Sequence, residues 1–191
     1  MSGAPSIRGS GAGWTGPQER ANRRRRGAML DEALDVVVAL WTGADVDHVG
    51  THYRAAGRFL PAPVQRPRIP VWVAGAWPHL SPFRRAARFD GVVPMLAEPG
   101  PFDTPPDVYR AVMEMVTPLR PDTSSPFDVV HTHGDPDVDL DRRRGRIAPY
   151  GEAGVTWWLE DVGPWRWLAE PLGPWPLDDM LSFVRAGPAR V

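Results

Sequence analysis

The sequence predicts an α/β fold built on a parallel sheet, because single short apolar segments alternate with single helical segments along most of the chain. Each apolar segment is rich in β-branched or aromatic residues and bounded by Gly or Pro, which is typical of strands covered on both faces. Strands joined through helices in this way require right-handed crossovers. We expect four such strands, at residues 69–74, 91–95, 127–131 and 155–159.

Helical periodicity marks the segments that surround these strands. Apolar residues at three- and four-residue spacing predict an amphipathic helix over residues 28–41, which Gly43 ends. The resulting order is one helix followed by four strand-helix units. This order fits both an open doubly wound sheet and a segment of a (β/α)₈ barrel, and periodicity does not distinguish them. The four later helices are expected at residues 83–89, 106–119, 142–152 and 177–186.

Two segments lack a regular pattern. Residues 1–26 are rich in Gly and Arg and are interpreted as a flexible lead-in to one domain over residues 27–191. The four-arginine run from Arg23 to Arg26 is typical of a solvated helix start. Residues 44–67 end in three closely spaced prolines and are predicted to be a long irregular excursion.

Composition excludes several classes of site and partner. The chain has no Cys, which excludes disulfides and thiol chemistry and favours a reducing compartment, so we expect a cytoplasmic protein. All 22 basic residues are Arg, so no lysine amine can form a Schiff base. A net charge of -1 argues against a nucleic-acid partner, and no apolar stretch is long enough to predict a membrane partner.

Eight segments match, in order, the sequence pattern of one enzyme family. Through them the chain resembles the luciferase-like monooxygenase family from about Gly11 to Arg190. No single segment is specific, and their order and spacing carry the resemblance. The segments are residues 11–14 (Gly-Ala-Gly-Trp), 26–34, 40–43, 49–53, 63–75, 84–94, 153–160 and 184–188 (Val-Arg-Ala-Gly-Pro).

The resemblance implies a (β/α)₈ barrel of the TIM type that binds FMN at the C-terminal mouth of its strands, or in some branches the deazaflavin coenzyme (F-420). It implies a flavin-dependent oxidoreductase or monooxygenase with a small-molecule substrate. In such enzymes the cofactor carries the chemistry, so the absence of a recognisable acid-base pair does not count against an enzyme. A separate nucleotide-binding doubly wound domain ranks last, because no strand is followed by a Gly-x-Gly-x-x-Gly or Walker loop.

The resemblance also implies an incomplete barrel. In the family the Gly-Ala-Gly-Trp segment follows the fourth strand, so we expect an N-terminally shortened chain with about four C-terminal βα units. Such a half barrel exposes two sheet edges and an apolar inner face, and should form homo-oligomers or aggregate. The alternative function is a non-catalytic half-barrel remnant that acts as a dimerising or partner-binding module.

Candidate cofactor contacts lie after the first strand, where barrel active sites are found. Gly75, Ala76 and Trp77 are predicted to form a loop that brings backbone amides to a flavin phosphate, ahead of a helix that begins near Ser81. Arg84, followed by Arg85, would add positive charge. Gly75 as an ordinary turn residue and the arginines as solvated charges are the structural alternatives.

Further candidates follow the family's fourth strand and the strands predicted at residues 91–95 and 127–131. The resemblance places Gly11 and Gly13, with Trp14, near the flavin ring. Pro94, followed by Met95, would line the ring pocket, and His131 would contact substrate or flavin at the barrel mouth, with core packing as the alternative.

Two other groups of residues are expected to have structural roles. His131, His133 and Asp135 have a spacing that could hold a metal, but the sequence shows neither a further ligand nor a second shell, so we expect none. Asp31 and Glu32 are predicted to be surface charges. The alternating Trp157 and Trp158 are predicted to pack against the core and the helices.

Overall fold

The computed structural model describes residues 17–97, 104–133, 140–167 and 172–187. By its contacts the chain divides into two compact units, Met1–Ile69 and Pro70–Val191. No helix in the described ranges is long and apolar enough to cross a bilayer. The elements are α1 (Pro17–Trp41), β1 (Val46–Val49), β2 (Arg54–Gly57), β3 (Trp72–Trp77), α2 (Leu80–Ala86), β4 (Gly91–Leu96), α3 (Pro106–Val116), β5 (Asp128–His133), α4 (Leu140–Glu152), β6 (Trp157–Glu160) and α5 (Leu177–Ala186), with single 3-10 turns at Thr117–Leu119 and Pro164–Trp167.

The second unit is built on a four-stranded sheet with the order β3-β4-β5-β6. All three strand pairs are parallel, as the alternation of strands and helices predicts. Trp72 lies opposite Gly91, which lies opposite Asp128, and Val130 lies opposite Trp157. The predicted parallel α/β arrangement is therefore confirmed.

A hydrophobic core fills the space between one face of this sheet and the helices. In α3 the buried residues recur at spacings of one, three and four, so that one side of the helix faces the strands. Burial of each valine-sized side chain contributes about 1.5–3 kcal/mol to stability. The core cluster contains Val73, Phe83, Ala86, Ala87, Val92, Val108, Tyr109, Val112, Val116, Val129, Tyr150 and Ala153.

The first strand of this sheet is shifted from its predicted position. β3 spans Trp72–Trp77 rather than residues 69–74, and α2 spans Leu80–Ala86 rather than residues 83–89. Pro70 has no N–H to donate to a strand ladder, and the Val71 N–H donates to Asp90 Oδ2 at 2.7 Å instead of to a strand. The last helix, α5, has the predicted bounds, residues 177–186.

The first unit contains α1 and an antiparallel hairpin. α1 begins at Pro17 rather than at Ala28, so the run from Arg23 to Arg26 lies within a helix, with its side chains exposed. Arginine has a high helix propensity, which allows the helix to extend beyond its apolar periodicity. Residues 1–16 lie outside the described residues, and the division into a lead-in and a domain over residues 27–191 stays a prediction.

The prediction of an irregular excursion over residues 44–67 is wrong for residues 46–57, which form a hairpin. β1 and β2 pair in antiparallel fashion, with Val46 opposite Gly57 and Val49 opposite Arg54. The turn closes through the Gly50 N–H, which donates to the Tyr53 carbonyl at 2.9 Å. Each strand has only four residues, and the turn has no Asn-Gly or Asp-Gly pair. The hairpin therefore had little sequence signal.

Candidate functional site

The two faces of the four-stranded sheet differ in their surroundings. Successive side chains in a strand point to opposite faces, and Val73, Val92 and Val129 face the helices. The strand register places the alternate residues together on the other face, here called the inner face. The inner face consists of Trp72, Ala74, Ala76, Gly91, Val93, Met95, Asp128, Val130, Thr132, Trp157 and Leu159.

The inner face is apolar and partly uncovered. Its large side chains include Met95, Trp157 and Leu159, which are 43%, 48% and 38% exposed. Large apolar side chains that are exposed on the same face of a sheet can mark a place where a ligand or another chain binds. This face of the sheet is therefore the candidate site, and the half barrel stays a prediction.

A hydrogen-bonded group of two indoles and a carboxylate closes the N-terminal edge of the inner face. Trp72 Nε1 donates to Asp128 Oδ2 and Trp157 Nε1 donates to Asp128 Oδ1, both at 2.9 Å. The two indole rings contact each other, with centroids 5.4 Å apart. Gly91 leaves the necessary space, since a Cβ there would lie 2.6 Å from Trp72 Cδ1 and from the Asp128 carbonyl oxygen.

The C-terminal edge of the inner face carries no charged side chain among the described residues. Ala76 lies opposite Met95 in the register, and Thr132 and Leu159 occupy the equivalent ends of the next two strands. Carboxyl ends of parallel strands meet at one edge, which is where barrel enzymes bind their ligands. The β3 side chains on this face toward that edge, Ala74 and Ala76, are small.

The predicted phosphate loop is a strand. Gly75, Ala76 and Trp77 are the last three residues of β3, and only Ala76 belongs to the inner face. A Cβ on Gly75 would lie 2.7 Å from Phe83 Cε1, so the glycine allows α2 to pack closely on the sheet. The ring of Trp77 lies 5.9 Å from that of Phe83, on the same side.

Arg84, which was predicted to add positive charge near a flavin phosphate, lies at the C-terminal end of α2. The backbone amides predicted to bind that phosphate lie at the other end of the helix. Arg84 is exposed in the last helical turn, next to the half-buried Arg85. Cationic side chains at that position complement the partial negative charge of a helix C-terminus. At the other end, the His79 N–H already donates to the Ala76 carbonyl at 2.9 Å.

Pro94 and Met95 lie on opposite faces of β4. Pro94 is fully buried on the helix side, and its carbonyl accepts a hydrogen bond from Thr104 Oγ1 at 3.3 Å. Met95 points to the inner face. Of the two residues predicted to line the ring pocket, the structure therefore brings only Met95 to the candidate site.

His131 lies behind the sheet, in an aromatic cluster on the helix side. It is fully buried, and its Nδ1 lies 2.7 Å from the hydroxyl oxygen of Tyr109. The rings of Tyr150 and Trp158 each lie 4.3 Å from the imidazole, centroid to centroid. The structure thus places His131 among core aromatic residues and not on the inner face.

The remaining sequence candidates fall partly outside the described residues. Gly11, Gly13, Trp14 and Asp135 are not among them, and nothing is described of the His133 side chain. Within the described ranges, no three His, Asp or Glu residues come together in an arrangement that could hold a metal ion.

Sequence reasoning missed the role of Glu32, which was expected to be a surface charge. This α1 side chain is only 14% exposed, and Glu32 Oε1 lies 3.1 Å from His48 Nε2. The carboxylate accepts the N–H groups of His52 at 2.9 Å and Tyr53 at 2.8 Å, which fixes the hairpin turn on the helix. A Cβ on Gly50 would overlap this carboxylate, and the glycine was the one available signal.

The environment of Glu32 favours its ionised form. Burial by itself would raise the pKa, but the hydrogen bonds from His48 and from the Tyr53 and His52 backbones outweigh it, and the pKa falls to about 2. A carboxylate held by several donors in this way organises local structure.

A buried ion pair at the end of β6 was also missed. Arg166 is fully buried, and its Nη1 donates to Glu160 Oε2 and to the Asp161 carbonyl, both at 3.0 Å. Its guanidinium carbon lies 4.3 Å from the ring centroid of Phe183 in α5. Trp158 Nε1 donates to the other Glu160 oxygen at 3.0 Å. These contacts hold the last strand, the 3-10 turn and α5 together.

Comparison with known protein families supports the resemblance over the first part of the chain. The family model described as luciferase-like monooxygenase matches residues 7–121, more than half of the 191 residues. No curated protein matches the chain. The match covers all elements from α1 to α3, whereas residues 153–160 and 184–188 of the resemblance lie beyond it. The chain therefore belongs to the luciferase-like monooxygenase family.

Proposed function

We propose that this chain forms half of a (β/α)₈ barrel in a flavin-dependent oxidoreductase that acts on a small-molecule substrate. The observation that carries the proposal is the inner face, where four parallel strands bring Ala76, Met95, Thr132 and Leu159 to one edge. In a member of this family, an apolar ligand surface at the carboxyl ends of parallel strands fits the flavin ring.

The strand order favours a barrel segment over a doubly wound sheet. Doubly wound sheets reverse their strand order at a switch point, where the ligand binds. Here the four strands of the second unit follow one another in chain order, with no reversal. The helix contacts lie on one face, and the other face retains exposed apolar side chains. Both features are those of an arc of a barrel wall.

The inner-face residues fit a flavin ring better than they fit a charged ligand. Ala74 and Ala76 leave a shallow strip on β3, which Met95 of the neighbouring β4 borders, and Leu159 adds an apolar side chain on β6 at the other side of the same face. FMN is the proposed cofactor, with the deazaflavin coenzyme as the alternative. When bound, the cofactor would supply electron transfer to oxygen or to a hydride acceptor.

The predicted cofactor contacts divide into two groups under this proposal. Ala76 would touch the ring, and Gly75 and Trp77 would contribute backbone groups, with Gly11 and Gly13 added through the family resemblance. Pro94 and His131 would act from the helix side by supporting the strands, and Arg84 would act as a helix-terminal charge.

Flavin titration of the purified chain tests the proposal. We expect FMN fluorescence to be quenched as protein is added, and Ala76→Phe to weaken binding at least about tenfold because the ring fills the strip. Ala56→Phe, at an exposed position on β2, is the matched control and should leave binding unchanged. Circular dichroism checks that both variants fold. If the unsubstituted chain binds neither FMN nor the deazaflavin at roughly 100 μM, the proposal fails.

The exposed inner face also favours a second function, a non-catalytic half barrel that serves as a dimerising or partner-binding module. Exposed apolar side chains on one face are found at protein interfaces as well as at ligand sites. A self-associating chain that does not bind flavin would support this alternative.

A further inference from the structure

We infer that Tyr109 and His131 form a redox-active pair. In this pair Tyr109 gives one electron to a one-electron oxidant, and its hydroxyl proton moves to His131 Nδ1. The oxidant belongs to the class of oxygen-derived radicals. The inference goes beyond the proposed function and does not depend on flavin binding, because the pair lies in the core on the helix side of the sheet and not on the inner face.

The geometry of the pair provides the tyrosine with a proton acceptor. Both side chains are fully buried, and the Tyr109 hydroxyl oxygen lies 2.7 Å from His131 Nδ1. This distance is that of a direct hydrogen bond. Tyr109 belongs to α3 and His131 to β5, so the contact joins a helix to the sheet. An imidazole nitrogen that carries no proton accepts the phenol O–H in this position.

This acceptor is what oxidation of a buried tyrosine needs. Removal of an electron makes a phenol O–H strongly acidic, and a charged phenol without a partner is costly in a protein interior. In the proposed step the O–H bond of Tyr109 breaks, an N–H bond forms at His131 Nδ1, and one electron passes to the oxidant. A hydroxyl radical, for example, becomes hydroxide. The products in the core are a neutral tyrosine radical and an imidazolium, and return of the electron reverses both transfers.

Contacts between aromatic rings connect the pair to the edge of the core. The rings of Tyr150 and Trp158 each lie 4.3 Å from the imidazole and 5.2 Å from each other, centroid to centroid. Tyr150 also lies 5.8 Å from Tyr109. Trp158 is half-buried, whereas the other three rings are buried, so Trp158 is the member that an oxidant reaches first. Because a neutral tryptophan radical oxidises tyrosine, the electron moves from Tyr109 toward Trp158 and the radical stays on Tyr109.

Pulse radiolysis of the 191-residue chain with azide radical, which oxidises tryptophan first, tests the inference. We expect the absorption of the tryptophan radical to decay while that of the tyrosine radical grows, at a rate that does not depend on protein concentration. Tyr109→Phe keeps the ring that packs in the core and should lose this growth. Tyr53→Phe is the matched control, because Tyr53 is 36% exposed in the hairpin of the first unit, and it should keep the growth.

Two measurements test the role of His131. His131→Gln removes the proton acceptor, so growth of the tyrosine radical should slow roughly a hundredfold, which is the contribution of a positioned base. Circular dichroism checks that the variant folds. Because the substitution alters the core, the unsubstituted chain is also measured in D₂O. Growth should be slower there than in H₂O, since the proton moves together with the electron.

The opposite results overturn the inference. A tryptophan radical that persists without growth of a tyrosine radical shows that Tyr109 is not oxidised. Growth that Tyr109→Phe leaves unchanged places the radical on another tyrosine. Equal rates in H₂O and D₂O show that no proton moves to His131 with the electron. The flavin titration is read separately, because the chain can form this radical without binding FMN and can bind FMN without forming it.

Discussion

At the scale of single residues, the direction of a side chain decides its role, and residue type does not reveal that direction. Pro94 and Met95 are neighbours with the same predicted function, yet one lies in the core and the other on the inner face. His131 has the chemistry of a ligand contact. Because side chains alternate between the two faces of a strand, its position on β5 turns it to the helix side, toward Tyr109. A shift of one residue in a strand reverses every such assignment.

Gly75 can be tested as a packing residue. Gly75→Ala places a methyl group 2.7 Å from Phe83 Cε1 and 2.9 Å from Pro82 Cβ, so we expect a loss of about 1–3 kcal/mol in the free energy of unfolding. Gly145→Ala, in α4, meets no atom within 4 Å and should stabilise by about 0.5–1 kcal/mol. Urea denaturation measures both. Equal effects of the two substitutions would contradict the packing role.

Glu32 predicts a specific response to acid. Its pKa is about 2 in the folded chain against an ordinary value of 4.5, so the folded state favours the ionised carboxylate. Its contribution is complete above about pH 4.5 and is lost as the pH falls toward 2. We therefore expect Glu32→Gln to lower the melting temperature at pH 7. Between pH 4.5 and 3 the melting temperature of this variant should fall less steeply than that of the unsubstituted chain.

The control for this response is Glu114→Gln, on the exposed side of α3. It should leave both the melting temperature at pH 7 and its acid dependence close to those of the unsubstituted chain. Parallel curves for Glu32→Gln and the unsubstituted chain across this pH range would show that Glu32 is not the responsible group.

At the scale of elements, the pattern of apolar residues predicted the strands and helices that are held by burial. It failed for the hairpin, whose position is fixed by hydrogen bonds. The parallel strands and α5 were predictable, because their apolar residues repeat with the period of the structure. The β1–β2 hairpin was not, because the turn is fixed by Glu32, far away in the chain. Gly75 was assigned to a loop because a glycine ends many strands, whereas here it lets α2 pack closely against β3.

The C-terminal elements depend on the Glu160–Arg166 pair, whose partners are 14% and 0% exposed. Glu160→Gln leaves a buried guanidinium facing a neutral amide, and we expect a loss of about 3–5 kcal/mol in the free energy of unfolding. Asp45→Asn breaks the exposed pair with Arg58 and should cost less than about 1 kcal/mol. Chemical denaturation compares the two variants. A similar loss in the free energy of unfolding for both would show that burial does not strengthen the Glu160–Arg166 pair.

At the scale of the whole molecule, the partly exposed inner face connects the fold to the proposed function. The order of strands and helices predicted the parallel sheet, and the resemblance predicted the family. Neither could give the polar network at the N-terminal edge of the inner face, since Trp72, Asp128 and Trp157 come from three separate strands.

Hydrogen exchange distinguishes the central strands of the sheet from the outer strands. β4 and β5 each pair with a strand on both sides, whereas β3 and β6 pair on one side only in the described residues. Amides in the middle of a sheet become exposed mainly when larger parts of the fold open, so we expect those of β4 and β5 to exchange more slowly than those of β3 and β6. Amide exchange followed by NMR measures the rates strand by strand. Equal protection of all four strands would contradict this expectation, and would show that the outer strands have backbone partners beyond this sheet.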